Sequence, residues 1–120
     1  MSSASQDFDP QALERLRDLG GNAFLRQMIG LFLDLAQQKL HAARAAEQAG
    51  DVTALGKAIH ALRSSSGNIG ASTMQELATR IDELAREQNA VQIPSLLRQL
   101  EAAFARVKPR LEQERDALST

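Results

Sequence analysis

The apolar residues of this chain recur at the spacing of α-helices almost from end to end, and this periodicity limits the fold more than any other feature. In four long segments, apolar or small residues alternate at spacings of three and four, which places them on one face of a helix. No segment shows the alternation of apolar and polar residues that is typical of a strand. The chain is therefore predicted to be all-α. The four segments begin near Ala23, Asp51, Ser72 and Pro94.

Short connections separate these segments. Gly50 and Gly70 end two of them, because glycine accepts the left-handed backbone that closes many helices. A shorter helix is predicted from Pro10 to the pair Gly20–Gly21. Such helices bury their apolar faces best as an antiparallel up-and-down four-helix bundle, with the short N-terminal helix as an additional element at one end. We predict a disordered tail over residues 1–8 and one bundle domain over residues 9–118.

Single residues predict three local features of the helices. Ser72 and Gln75 have the spacing of a capping box, which would start the third long helix. Pro109 lies within the apolar stripe of the last helix, so we expect a kink or a local break there, with the chain staying roughly helical. The core-facing stripe of the first long helix is predicted to be Phe24, Met28, Leu31, Leu35, Ala42 and Ala46.

Composition excludes several classes of function. A net charge of -1 and the absence of Trp and Tyr argue against nucleic-acid binding. No apolar run is long enough to span a membrane, and the first residues lack the pattern of a signal peptide, so we expect a cytoplasmic protein without a membrane partner. With no cysteine in the chain, His41 and His60 become the candidates for chemistry. His41 has no suggestive neighbours.

The segment around His60 conflicts with its own helical pattern. Three serines and a glycine are poor helix formers, yet the apolar stripe runs through them without interruption. His60, Arg63, Ser64 and Gly67 share a face beside that stripe, which is predicted to look toward solvent. A neutral imidazole is a competent nucleophile, and a phosphoryl group on it would be stabilised by the nearby cations Arg63 and Lys57. Either ring nitrogen could be the acceptor.

From His60 to Ala71 the sequence resembles the signature of histidine phosphotransfer domains, commonly His-x-Leu-Lys-Gly-small-small-x-x-apolar-Gly-Ala. The resemblance implies a four-helix bundle with the phosphoacceptor at His60. It also implies a supporting cation at Arg63 and a small residue at Ser64. Arginine stands where lysine is usual, and serine where glycine is usual, and the two cations are not equivalent at a close contact.

The same resemblance implies a phosphocarrier and not an enzyme. It would accept a phosphoryl group from a receiver-domain aspartate or a hybrid sensor kinase and pass it to a response regulator. No glycine-rich phosphate loop and no obvious acidic metal cluster occurs in the sequence, so we expect no ATP site, no cofactor and no metal. Mg²⁺ is expected on the partner receiver, and the chain is expected to act as a monomer in transient contacts.

An alternative function belongs to a different class of protein. The bundle could be a binding module that sequesters a receiver domain or another helical partner and transfers nothing. Ser64 gives this alternative its support, because its side chain adds bulk beside the ring. Binding without transfer would distinguish the two.

The segment 28–33 is apolar around more of its circumference than one core-facing stripe requires. Either the short first helix covers it, or it forms a docking patch beside His60. We assign Phe32 to the covered surface. The residues predicted to dock a partner are Ser64, Gly67, Ile29 and Leu33.

Overall fold

A computed structural model of the chain describes residues 7–118, which form four α-helices and no strand. Each helix packs against the next one along the chain, and the last packs against the first. The predicted all-α class is confirmed. The helices are α1 (Pro10–Gln48), α2 (Val52–Ile69), α3 (Ser72–Arg86) and α4 (Ile93–Ala117).

α1 is interrupted at Gly21, whose φ of 88° and ψ of -177° lie outside the helical region. Glycine adopts this backbone without steric cost, which explains why the kink falls there. The stretch from Pro10 that we predict as a separate short helix therefore joins the long helix across this kink. A separate helix at one end of the bundle stays a prediction.

The core face of α1 differs from the predicted stripe. Leu31 is 55% exposed and Ala42 is exposed, although both are predicted to face the core. α1 packs against α2 on one side and α4 on another, so its buried face is wider than one stripe and is rotated from the predicted one. The buried residues of its long arm are Leu25, Ile29, Phe32, Leu33, Ala36, Leu40, Ala43 and Ala46.

Two residues that we predict to dock a partner lie on this buried face of α1. Ile29 is fully buried and Leu33 is 6% exposed, so neither can meet a partner at the surface. Of the apolar residues in the segment 28–33, Ile29, Phe32 and Leu33 belong to the core, whereas Leu31 is exposed. The prediction that Ile29 and Leu33 dock a partner is wrong.

The ends of α2 agree with the sequence. The Asp51 carboxylate accepts a hydrogen bond from the Ala54 amide at 2.9 Å, and Gly70 ends the helix with a φ of 86°. The capping box at the start of α3 is wrong, because no side chain caps that helix and the Ser72 hydroxyl lies near the Gly70 carbonyl. α4 continues through Pro109, so the chain stays helical past the proline as predicted, and no local break ends the helix there.

The residues just before α1 pack against α4. Asp7 and Phe8 are buried, Arg106 donates two hydrogen bonds to the Asp7 carboxylate, and the Arg110 guanidinium lies 5.0 Å from the Phe8 ring centre. We call these four residues the N-terminal clasp. The predicted disordered tail is therefore wrong for Asp7 and Phe8. The free energy gained by burying these side chains offsets the entropy lost when the two residues become ordered. Its other part, residues 1–6, lies outside the described residues.

Candidate functional site

α2 presents His60 at the surface of the bundle. Ile59 and Leu62 are fully buried on its inner side and fix the rotation of the helix. The side chain of His60 is consequently 57% exposed, on a face that also carries the exposed residues Lys57 and Ser64. The outward face predicted from the spacing of the apolar residues is thus present.

Next to His60, helices α2 and α3 pack closely against each other. A methyl group added at Gly56 would lie only 2.8 Å from the Ala85 methyl group, so these two small residues let the helices come together. One turn along α3 from Ala85, Asp82 reaches toward His60. Gly67, predicted to leave room for a partner, is half-buried beneath the Gln75 side chain and opens the surface less than expected.

Three side chains converge on one oxygen of Asp82. Its Oδ2 atom lies 3.0 Å from Nδ1 of His60, 2.8 Å from Nη1 of Arg63 and 3.4 Å from Nη2 of Arg86. Asp82 is 4% exposed, whereas the arginines are 35% and 64% exposed. We call these four residues the Asp82 cluster. It joins two residues of α2 to two of α3.

The Asp82 carboxylate is held in its charged form. Burial by itself raises the pKa of Asp82, but the hydrogen bonds with His60 and Arg63 and the charge of Arg86 outweigh it and leave that pKa below its usual value. An ionised carboxylate only accepts hydrogen bonds, so Nδ1 of His60 has to carry a proton to bond it. Nη2 of Arg86 also lies 3.4 Å from Nδ1, but the carboxylate is nearer.

This arrangement occupies Nδ1 and leaves Nε2 as the other nitrogen of the ring. With the proton on Nδ1, Nε2 keeps its lone pair, and no described residue forms a hydrogen bond with it. A cleft of about 360 Å³ opens beside the ring. Its lining is Thr53, Gly56, Lys57, His60, Asp82, Ala85, Arg86 and Gln88.

The structure brings some of the predicted residues together and adds two. His60 and Arg63 belong to one cluster, and Lys57 lines the adjoining cleft. Asp82 and Arg86 were not predicted, because their place beside His60 depends on how α3 packs against α2. One signal was available: Asp82 is a carboxylate on the face of α3 that also carries two buried alanines, with an arginine four residues later.

The described residues form neither a metal-binding group nor a membrane-spanning helix. Between residues 7 and 118, no group of three His, Asp or Glu side chains is arranged to hold a metal ion. No helix in the same range has both the length and the apolar character to cross a bilayer.

Comparisons with known proteins point to one family. A profile of the Hpt domain matches residues 27–110, a stretch that includes His60 and the rest of the Asp82 cluster. Among solved structures, the chain is similar to the crystal structure of histidine-containing phosphotransfer protein B (HptB) from Pseudomonas aeruginosa PAO1. The sequences are 28% identical, the TM-score is 0.87, and the alignment covers 92% of this chain and 96% of that chain. No curated protein sequence gives a significant match.

Proposed function

Because the chain belongs to the Hpt family of histidine phosphotransfer domains, we propose that Nε2 of His60 is the atom that carries the phosphoryl group. The observation that supports this choice is the 3.0 Å contact between Nδ1 and the Asp82 carboxylate. Nδ1 is thereby engaged inside the cluster, while the side chain as a whole is 57% exposed. A protein that docks on the exposed ring would therefore react with Nε2, because the carboxylate already holds Nδ1.

The proposed reaction is a reversible transfer between His60 and a receiver domain of a two-component system. The lone pair of Nε2 forms a P–N bond as the P–O bond of the receiver's phosphorylated aspartate breaks, and that bond's electron pair stays on the receiver carboxylate. The reverse step moves the phosphoryl group to another receiver. We propose that the receiver holds Mg²⁺, which neutralises charge during transfer. A hybrid sensor kinase is the proposed source of the phosphoryl group.

Cations around the ring suit a negatively charged group on Nε2. Lys57 and Arg86 line the cleft beside His60, so their charges can reach a phosphoryl group there. Arg63 donates to Asp82 and is half-exposed, and we propose that it supports the phosphoryl group chiefly by fixing the carboxylate beneath the ring. Ser64 lies on the same exposed face and would contact a docked receiver.

We also infer that the helices alternate in direction, as an up-and-down bundle requires. The connections are residues 49–51, 70–71 and 87–92, which are short enough to favour antiparallel neighbours. Contacts between α2 and α3 support this: Gly56 lies against Ala85, and His60 lies against the earlier residue Asp82. We propose that this bundle acts as a monomer in the cytoplasm.

The experiment that tests the proposed function is phosphoryl transfer from a panel of phosphorylated receiver domains in the presence of Mg²⁺. The incorporated group is followed by intact mass and by its stability to acid and to alkali, since a phosphohistidine is lost in acid and survives in alkali. His60→Gln removes the proposed acceptor. His41→Gln is the matched control, because His41 is the other histidine and is also exposed on a helix.

We expect acid-labile label on the wild type and on His41→Gln, and none on His60→Gln. Circular dichroism of the three proteins should show the same helical content, because His60 contributes an exposed ring and no core packing. Label retained by His60→Gln would contradict the proposal. A receiver that binds tightly and never exchanges its phosphoryl group would favour the sequestering module instead.

A further inference from the structure

Asp82 is a buried carboxylate in direct contact with the ring that we propose to be phosphorylated. Its Oδ2 atom accepts hydrogen bonds from Nδ1 of His60 at 3.0 Å and from Nη1 of Arg63 at 2.8 Å. Nη2 of Arg86 lies 3.4 Å from the same oxygen. Burial at 4% exposure keeps water from replacing these partners. In the proposed transfer step this carboxylate touches neither the phosphoryl group nor Nε2, because the group arrives and leaves at the opposite nitrogen of the ring.

We infer that Asp82 sets how long His60 keeps its phosphoryl group, by holding a proton on Nδ1 while Nε2 is phosphorylated. This inference rests on the proposed function and names a regulator of the same atom. Asp82 is a positioning residue here, since it acts through the ring and does not touch the phosphoryl group.

The chemistry of the P–N bond gives Asp82 this influence. When the bond breaks, its electron pair returns to Nε2 and the phosphoryl group passes to a carboxylate or to water. If Nδ1 keeps its proton, the ring leaves as neutral imidazole, which is a good leaving group. If Nδ1 has lost its proton, the ring would have to leave as an imidazolate anion, and the bond persists. The protonation of Nδ1 therefore decides the lability of the bond.

The charged groups that face the ring come from two helices and act in opposite directions. Lys57 and Arg63 on α2 and Arg86 on α3 are cations, which favour loss of the Nδ1 proton. Asp82 is the one anion among the charged residues of the cluster and the cleft, and it is the group nearest to Nδ1. Neutralising it should leave the cations unopposed.

The expected consequence is a longer-lived phosphohistidine when the carboxylate is removed. A charge at hydrogen-bond distance commonly shifts a pKa by about one unit or more, and one unit changes the protonated fraction about tenfold above the pKa. The phosphorylated Asp82→Asn protein should therefore decay about tenfold more slowly than the wild type at about pH 8. Its transfer to a receiver should slow in parallel.

The test uses phosphoramidate, a small reagent that phosphorylates histidine directly, so that no receiver is needed. Wild type, Asp82→Asn and Glu83→Gln are labelled, and loss of the label is followed by phosphorus NMR between about pH 6 and about pH 9. Glu83→Gln is the matched control because it removes an exposed carboxylate from the next position of α3. The variant at Asp82 should slow the decay and shift its pH dependence to lower pH, whereas the control should follow the wild type.

Equal lifetimes of Asp82→Asn and wild type over the whole pH range would overturn the inference. Nitrogen NMR of the unphosphorylated wild type gives a second test, which does not depend on whether the variant folds. We expect the ring proton of His60 on Nδ1. A ring proton on Nε2 would overturn the inference. If phosphoramidate does not phosphorylate the wild type, both the inference and the proposed function are contradicted. If phosphoramidate phosphorylates the wild type but no phosphorylated receiver does, the proposed function alone is contradicted.

Discussion

Asp82 and Asp7 are both buried aspartates with side chains only 4% exposed, yet they are stabilised in different ways. Two hydrogen bonds from Arg106 lower the pKa of Asp7 against the opposing effect of burial, with a further hydrogen bond from Thr73. For Asp82, burial is the largest influence and raises the pKa, and three partners are needed to bring it below the usual value. Each carboxylate is thus charged, but Asp82 depends on three partners, whereas Asp7 depends mainly on Arg106.

The geometry of the contacts explains this difference. Arg106 places Nε 2.7 Å from Oδ2 and Nη2 3.1 Å from Oδ1, so a single guanidinium occupies both oxygens of Asp7. In the Asp82 cluster, all three donors share Oδ2, and one of them is the ring of His60. A carboxylate with one bidentate partner fixes a segment of chain. A carboxylate shared by several donors can orient a reactive ring, and burial alone does not distinguish the two.

The largest effect on stability is expected from Arg106→Ala, which leaves Asp7 buried without its main partner. We expect the free energy of unfolding to fall by about 2 kcal/mol, less than for a fully buried pair because Arg106 is 42% exposed. Phosphoryl transfer per folded molecule should not change. Urea unfolding followed by circular dichroism measures the first quantity, and the receiver assay measures the second.

The comparison variant is Arg63→Ala, which removes one of three partners from Asp82. We expect a loss of about 1 kcal/mol, because His60 and Arg86 still face the same oxygen. A loss as large as that of Arg106→Ala would contradict the distinction between the two aspartates.

Acid unfolding tests the contribution of both aspartates to stability. Both aspartates have a lower pKa in the folded chain than in the unfolded chain, so their stabilisation is complete above the unfolded value of about 3.9 and is lost as the pH falls below it. Asp7→Asn and Asp82→Asn should each make the loss of stability below about pH 4 less steep. Urea unfolding at a series of acidic pH values tests this. An unchanged slope for Asp7→Asn would show that the N-terminal clasp does not contribute to acid sensitivity.

The smallest effect concerns the ring contact of the N-terminal clasp. Arg110→Gln removes the cation that lies 5.0 Å from the Phe8 ring centre, and we expect thermal unfolding to shift by the equivalent of about 0.5 kcal/mol. Arg98→Gln is the matched control, because Arg98 is an exposed arginine of α4 whose hydrogen bond within residues 7–118 is to the Pro94 carbonyl of its own helix. Equal shifts for the two variants would remove the ring contact as the cause.

Most features that depend on neighbouring residues could be predicted from the sequence, but the capping of α3 could not, because its predicted capping box does not form. The bounds of α2 follow from Asp51 and Gly70, whose effects act within one turn, and the exposed face of His60 follows from the period of that helix. Features that depend on two helices could not be predicted. The core face of α1 was misplaced because a stripe does not say how many neighbours a helix has. Asp82 was missed because the pattern of α3 gives no register against α2.

The same dependence on two helices has a consequence for how movement within this bundle could be detected. Nδ1 of His60 belongs to α2 and Oδ2 of Asp82 to α3, and they are 3.0 Å apart. A relative movement of the helices that lengthens this contact by about 0.5 Å would take the pair to the limit of a hydrogen bond. The ring would then exchange its proton between the two nitrogens, so the tautomer of one histidine would report the relative position of two helices, and docking of a partner would be visible as a change in that signal.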